Sequence, residues 1–224
     1  TERGAKNTLE VYFPGAQLVI GSANNDNTLQ QTPYRYTFGD EVRSWPKGAL
    51  EMFSKRTRSY PNYKRIIIST PDMEDDHLHR GYKSGDQCMY YVTCPCCGDE
   101  QPLEWGREDK KGGMQWDRNE ITCPNGEWDM EEVFRTIRYD CRNPDCDHRW
   151  ENNPTDRKAM QRSGRWIPHN DKAPKHRRSF HWNAILPWWT KWPEMVEEFL
   201  KGSAALEIGE HEPYKDFINE TLGQ

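Results

Sequence analysis

Apolar and polar positions divide the chain into short elements. Leu9 to Phe13 and Gln17 to Ile20 are apolar, β-branched and aromatic runs on either side of Pro14-Gly15, a pattern that predicts a hairpin. The polar stretch Gly21 to Thr32 leads into Tyr34-Arg35-Tyr36-Thr37-Phe38-Gly39, which reads as a strand ending at Asp40-Glu41. Between Pro46 and Tyr60, Ala49, Leu50, Met52 and Phe53 recur at helical spacing. Lys64 to Ser69 then carries Ile66-Ile67-Ile68, an apolar strand expected to be buried on both faces. Strand, helix and strand in that order predict an α/β core with a mostly parallel sheet.

After Pro71 the texture changes. Glu74-Asp75-Asp76 opens a short helix, Met89 to Thr93 reads as a strand running directly into cysteines, and the sequence from there to Trp150 is irregular and rich in Gly, Asp and Asn. A small separate module is expected here. Further on, Asp156 to Ser163 and Trp192 to Leu200 read as helices, the second with Pro193 near its start and Met195, Val196, Phe199 and Leu200 on one face. No internal repeat and no low-complexity tract interrupts this order.

Composition adds that the core must be aromatic. Only 34% of the 224 residues are hydrophobic and mean hydropathy is −1.10, yet the chain holds ten Trp and ten Tyr, which points to a folded protein with a polar surface. No apolar run approaches the roughly 20 residues that span a bilayer, and the start has no secretion-signal pattern, so a soluble, intracellular protein is expected.

The seven cysteines, five of them in two tight groups, fit metal binding in a reducing compartment better than a disulfide framework. Cys94-Pro95-Cys96-Cys97-Gly98 is followed, after 42 residues, by Cys141-Arg142-Asn143-Pro144-Asp145-Cys146. Two short-spaced pairs on facing turns supply the four thiolates that tetrahedral zinc takes in a structural site. Cys94, Cys97, Cys141 and Cys146 are the expected ligands, with Cys96, Cys123 and His148 standing as alternatives because the intervening length exceeds usual ribbon spacing.

Charge is uneven. The net charge of −5 argues against a nucleic-acid coat, but Thr155 to Arg178 holds eight Lys or Arg against Asp156 and Asp171. Within that stretch Arg157, Lys158, Arg162, Lys175, Arg177 and Arg178 are expected to contact DNA phosphate without reading sequence. Trp188, Trp189 and Trp192, beside Pro187 and apolar neighbours, are expected to form a packed junction.

Asp40-Glu41 at a strand end has the form of a Walker B pair, in which the Asp helps hold Mg²⁺ and the Glu polarises the attacking water. The sequence has no G-x-x-x-x-G-K-[ST] phosphate loop. It also opens without Met, so a fragment whose phosphate loop lay upstream, inactive on ATP by itself, is expected.

In their order these pieces resemble the lambda-type GpA family of terminase large subunits, the ATP-driven motors that package viral DNA. Gly39-Asp40-Glu41-Val42 is similar to the family's Walker B turn, and Ile66-Ile67-Ile68-Ser69-Thr70-Pro71 to its Ser-Thr-Pro coupling motif. Tyr91 to Gln101 is similar to its Cys-Pro-x-Cys-Gly-x-x-Gln knuckle, and Cys141 to Cys146 to the second knuckle. Gly164-Arg165-Trp166, Ser179 to Asn183, Pro187-Trp188-Trp189 and Phe217 to Gly223 resemble the segments that follow.

The resemblance implies catalytic roles for Asp40 and Glu41 and a coupling role for Ser69 and Thr70. It implies ATP and Mg²⁺ in the parent protein, structural Zn²⁺, and an endonuclease domain that cuts concatemeric DNA beginning after Gln224. It further implies double-stranded DNA, a portal, a small terminase subunit and further copies in a motor ring as partners, in the host cell cytoplasm. The expected organisation is the distal part of a P-loop ATPase-type sheet (1–72), a β-rich zinc-ribbon module (73–153), and a basic stretch with a helical segment (154–224). The competing reading is a zinc-ribbon module that binds nucleic acid or protein and has no motor role.

Overall fold

A computed structural model of the chain describes residues 9–24, 32–70, 76–106 and 111–224. Parts of the expected Gly21 to Thr32 stretch, together with Pro71, Glu74 and Asp75, lie outside them. The chain divides into two units, 1–70 and 71–224.

In the first unit β1 (Glu10–Phe13) and β2 (Ala16–Val19) pair antiparallel around Gly15, whose φ of 77° a glycine adopts without steric cost. β3 (Tyr36–Gly39), α1 (Ala49–Lys55) and β4 (Lys64–Ile67) follow, and β3 and β4 pair in parallel as the strand-helix-strand order predicts. The Arg65 guanidinium on β4 donates to the Ser54 carbonyl at the end of α1 and to the Thr57 hydroxyl, which fastens the crossover.

The expected burial of the isoleucines is corrected: Ile66, Ile67 and Ile68 are 40–47% exposed. Two strands alone cannot cover both faces of a sheet, and α1 buries Ala49 and Phe53 with Trp45, Leu50 and Met52 instead.

In the second unit α2 (His77–Lys83), capped by the Asp76 carboxylate, precedes β5 (Cys88–Thr93) and β6 (Glu100–Pro102), which form a hairpin. The stretch expected to be irregular contains β7 (Gly113–Gln115), α3 (Met130–Thr136), β8 (Arg138–Asp140) and β9 (Arg149–Glu151). The three strands form an antiparallel sheet, and Asp129 caps α3 by accepting from Glu131 and Glu132 N–H. These elements are short and alternate poorly, so their periodicity escapes a sequence window.

α4 (Pro154–Ser163) starts at the Asn153 cap with Pro154 in its first turn. β10 (Arg165–Ile167) pairs antiparallel with β5, and β11 (Phe180–His181) pairs with it in parallel. α5 (Trp192–Glu207) and α6 (Glu212–Asp216) close the chain, followed by a π-helical turn over Phe217–Leu222.

One core runs through both 73–153 and 154–224. Tyr139 on β8 is fully buried, packs against Trp150 of β9 and Trp192 of α5 at centroid distances of 5.9 and 6.5 Å, and shares a cluster with Val92, Met160 and Val196. Its hydroxyl donates to the Pro102 carbonyl and accepts from Glu104 N–H, so burial leaves no polar atom unpaired there. Among the described residues this cluster draws side chains from both sides of the expected 153/154 boundary.

Candidate metal centre

Each cysteine pair sits at the tip of a hairpin. The β5–β6 turn closes through Gly98 N–H to the Cys94 carbonyl (2.9 Å) and Cys94 N–H to the Asp99 carbonyl (2.9 Å), and it needs a left-handed residue at Gly98, φ 75°. The β8–β9 turn closes through Cys141 N–H to the His148 carbonyl (2.9 Å) and Cys146 N–H to the Asn143 carbonyl (3.1 Å).

The two tips meet. The sulfurs of Cys94, Cys97, Cys141 and Cys146 lie within 4.8 Å of one another. The Cys94–Cys146 and Cys97–Cys141 Sγ separations are both 3.8 Å. A disulfide needs about 2.05 Å. An edge of a tetrahedron with metal–sulfur bonds of about 2.3 Å is about 3.8 Å. The donor set and spacing therefore fit a thiolate-bound zinc.

Without a metal, burial keeps two of the four sulfurs protonated. Burial pushes the Cys94 thiol up to about 12 and raises Cys141 as well, while the Asp99 backbone N–H lowers exposed Cys97 to about 7. Packing alone thus works against ionising the buried thiols, and a divalent cation at their centre reverses the balance.

Gln101 on β6, 2% exposed, joins the two tips. Its amide nitrogen donates to Cys141 Sγ at 3.2 Å and its oxygen accepts from Arg142 N–H at 2.8 Å. Beside the second tip, Lys111 Nζ donates to the Pro144 carbonyl and pairs with Asp147 at 3.0 Å. Among the described residues Cys96, Cys123 and His148 stand outside the sulfur cluster: Cys96 is exposed on the turn, Cys123 is half-buried, and the His148 ring packs edge-on to Trp150.

In the first unit Asp40 and Glu41 are exposed just past β3. Glu41 adopts a left-handed backbone (φ 47°, ψ 43°), uncommon for a residue with a side chain, at the entry to a short 3-10 turn over Val42–Ser44. Trp45 holds this turn, its indole N–H donating to the Asp40 carbonyl at 2.9 Å and its ring packing on Phe53 at 5.1 Å. Ser69 reaches the same turn, its Oγ accepting from Arg43 N–H at 3.1 Å. The Thr70 hydroxyl is buried and makes no hydrogen bond with the described residues.

A family model described as the phage terminase large subunit gpA, ATPase domain, matches residues 1–166. The chain belongs to the phage terminase large subunit gpA family. The terminase large subunit of Enterobacteria phage P21 is 29% identical over 182 residues, covering 72% of this chain and 24% of the relative. That of Escherichia phage lambda is 27% identical over 214 residues, covering 89% of this chain and 28% of the relative. The chain thus spans about a quarter of the length of these curated relatives. No solved structure matches it.

Within this gpA-family chain the six expected DNA contacts do not share one environment. Arg157 is corrected: it is 5% exposed, and its guanidinium donates to the Pro187 carbonyl (2.7 Å), the Thr190 carbonyl and Thr190 Oγ1 (2.9 Å) while lying over the Trp192 ring. Desolvation lowers it to about 10, so this cation is spent inside the fold. Arg178 pairs with Asp86 and donates to Cys88 Sγ. Lys158 is half-buried with its Nζ 4.0 Å from the Trp188 ring centroid, whereas Arg162, Lys175 and Arg177 are exposed.

The packed junction expected of three tryptophans is corrected too. Trp192 is fully buried, but Trp188 and Trp189 are 38% and 64% exposed. The roles of Gln101 and Arg157 are missed from sequence because polarity marks both as surface residues, and only the knuckle spacing that includes Gln101 hints otherwise. No helix among the described residues is long and apolar enough to cross a membrane.

Proposed function

We propose that this chain is the distal part of the ATPase core of a DNA-packaging motor, carrying a structural zinc site. The observation that supports the reading is the hydrogen bond from Arg43 N–H to Ser69 Oγ, which ties the Ser69 segment to the turn that displays Asp40-Glu41, within residues matched by the ATPase family model. Asp40 would help hold Mg²⁺, Glu41 would orient the attacking water, and Ser69 and Thr70 would pass a change in that turn to β4. The exposed Phe38 and Ile66-Ile67-Ile68 surface is what a larger sheet in the parent protein would bury.

Cys94, Cys97, Cys141 and Cys146 would hold zinc as a closed, structural site, since four thiolates leave no position for a reacting water. In the parent protein ATP hydrolysis would drive double-stranded DNA into a procapsid, and a domain outside this chain would cut concatemeric DNA. A portal, a small terminase subunit and further copies in a ring would be the partners, in the host cell cytoplasm.

The test is DNA-stimulated ATP hydrolysis by the parent protein with Asp40→Asn and Glu41→Gln. Turnover falling by about 10³-fold, with zinc content intact, is the expected result, on the scale of removing one charge-stabilising group from a preorganised site. Unchanged turnover would replace the motor reading with that of a zinc-bearing binding module.

A further inference from the structure

Trp188 and Trp189 form an exposed aromatic pair that the fold goes to some length to hold. Leaving such rings in water forgoes the gain from burying apolar surface, which a relaxed loop would recover by folding them inward. Here the loop is tied at both ends. Buried Arg157 on α4 donates to the carbonyls of Pro187 and Thr190, which flank the pair, and Gln161 Oε1 accepts from Trp188 N–H at 3.3 Å. The two rings stand edge to face at 88° with centroids 6.1 Å apart, and Lys158 covers Trp188 at 4.0 Å.

The pair borders an open groove of about 400 Å³, with Asn152, Asn153 and Pro154 also lining it. The described residues lining the groove include Arg157 and Lys191 and no carboxylate. Lys191 pairs with Glu194 at 2.5 Å, and Arg162, one turn beyond Lys158 on α4, is exposed. An aromatic surface edged by cations suits a ligand with flat π-faces and a regular line of negative charge. A proline-rich peptide would use the rings and leave the cations without a role.

We propose that this groove binds a nucleic-acid strand with unpaired bases, Trp189 stacking a base while Lys158, Arg162 and Lys191 meet phosphates. The site goes beyond the motor reading and needs neither ATP nor the sulfur cluster, so failure of either leaves the other standing. A duplex keeps its bases stacked and offers Trp189 nothing to stack on.

The test measures affinity of the 224-residue chain for an oligothymidylate of about 15 nucleotides, a duplex of equal length and a proline-rich peptide. Trp189→Ala is expected to weaken oligothymidylate binding about tenfold, Trp189→Phe to restore most of it, and duplex binding to move less than about twofold. Lys158→Ala and Arg162→Ala should each reduce the slope of log affinity against log salt by about 0.7. Because Trp189 is 64% exposed, its variants should fold, which zinc content and a thermal melt check. The proposal is overturned by no affinity for the oligonucleotide, by equal loss for strand and duplex, by indifference to Trp189→Ala, or by Trp189-dependent binding of the peptide in place of the oligonucleotide.

Discussion

The Gln101 amide donates to the Cys141 sulfur at 3.2 Å and, through its oxygen, accepts from the neighbouring Arg142 N–H at 2.8 Å, so one buried side chain of the first hairpin fixes the orientation of a candidate ligand on the second. The bond is of the kind that tunes a metal-bound thiolate from outside its coordination sphere. Gln101→Leu should keep the four sulfurs and lower zinc affinity about 10-fold to 100-fold, read by competition with a chromogenic chelator. Unchanged affinity would reduce Gln101 to a packing role.

Cys94→Ser and Cys141→Ser should each abolish tight zinc binding and destabilise the 71–224 unit by about 4 kcal/mol or more, since metal binding and folding are one process in such sites. Cys96→Ser and Cys123→Ser should leave both unchanged. Metal content per chain and denaturant titration check the four variants together.

Zinc affinity should rise with pH. The Cys94 and Cys141 thiols lie above the ordinary value of 9.0 in the metal-free fold, so near pH 7 both hold protons that zinc must displace. Their raised values favour the metal-free fold most below pH 9 and lose that contribution as pH climbs above it, towards about 12 for Cys94. Calorimetry in buffers of different ionisation enthalpy should record at least two protons released per zinc at pH 7, and fewer as pH rises.

Arg157→Ala should cost about 3 kcal/mol, because it takes the guanidinium from the Thr190 carbonyl inside the fold, removes the bonds to the Pro187 carbonyl and the Thr190 hydroxyl, and removes the contact with Trp192. Urea unfolding reads this. Lys175→Ala and Arg177→Ala, both exposed, should change stability by less than about 0.5 kcal/mol and, where they meet duplex phosphate, reduce its salt slope by about 0.9 each.

Ser69→Ala removes the acceptor of Arg43 N–H beside the Asp40-Glu41 turn, and ATP turnover by the parent protein should fall about tenfold, the worth of one hydrogen bond. Ser69→Thr keeps the hydroxyl and should retain most of the rate. Equal turnover in both variants would separate Ser69 from the chemistry.

The sequence by itself determined what depends on neighbours along the chain. Pro14-Gly15 dictates a hairpin turn, Cys94 and Cys97 followed by Gly98 dictate a tight sulfur-bearing turn, and the order from Tyr36 to Ile67 dictates a parallel strand pair. Tertiary structure decided whatever depends on which face packs against what. It selected Cys97 over Cys96 by turning only one of two adjacent sulfurs towards Cys141, and it let an interrupted chain close into one core around Tyr139. It also drew Arg157 inside while leaving Trp189 in water, the reverse of what polarity predicts. The physical reason is that a buried cation is tolerated when carbonyls, a hydroxyl and a ring take up most of its charge, and those partners lie some thirty residues away, beyond any local pattern.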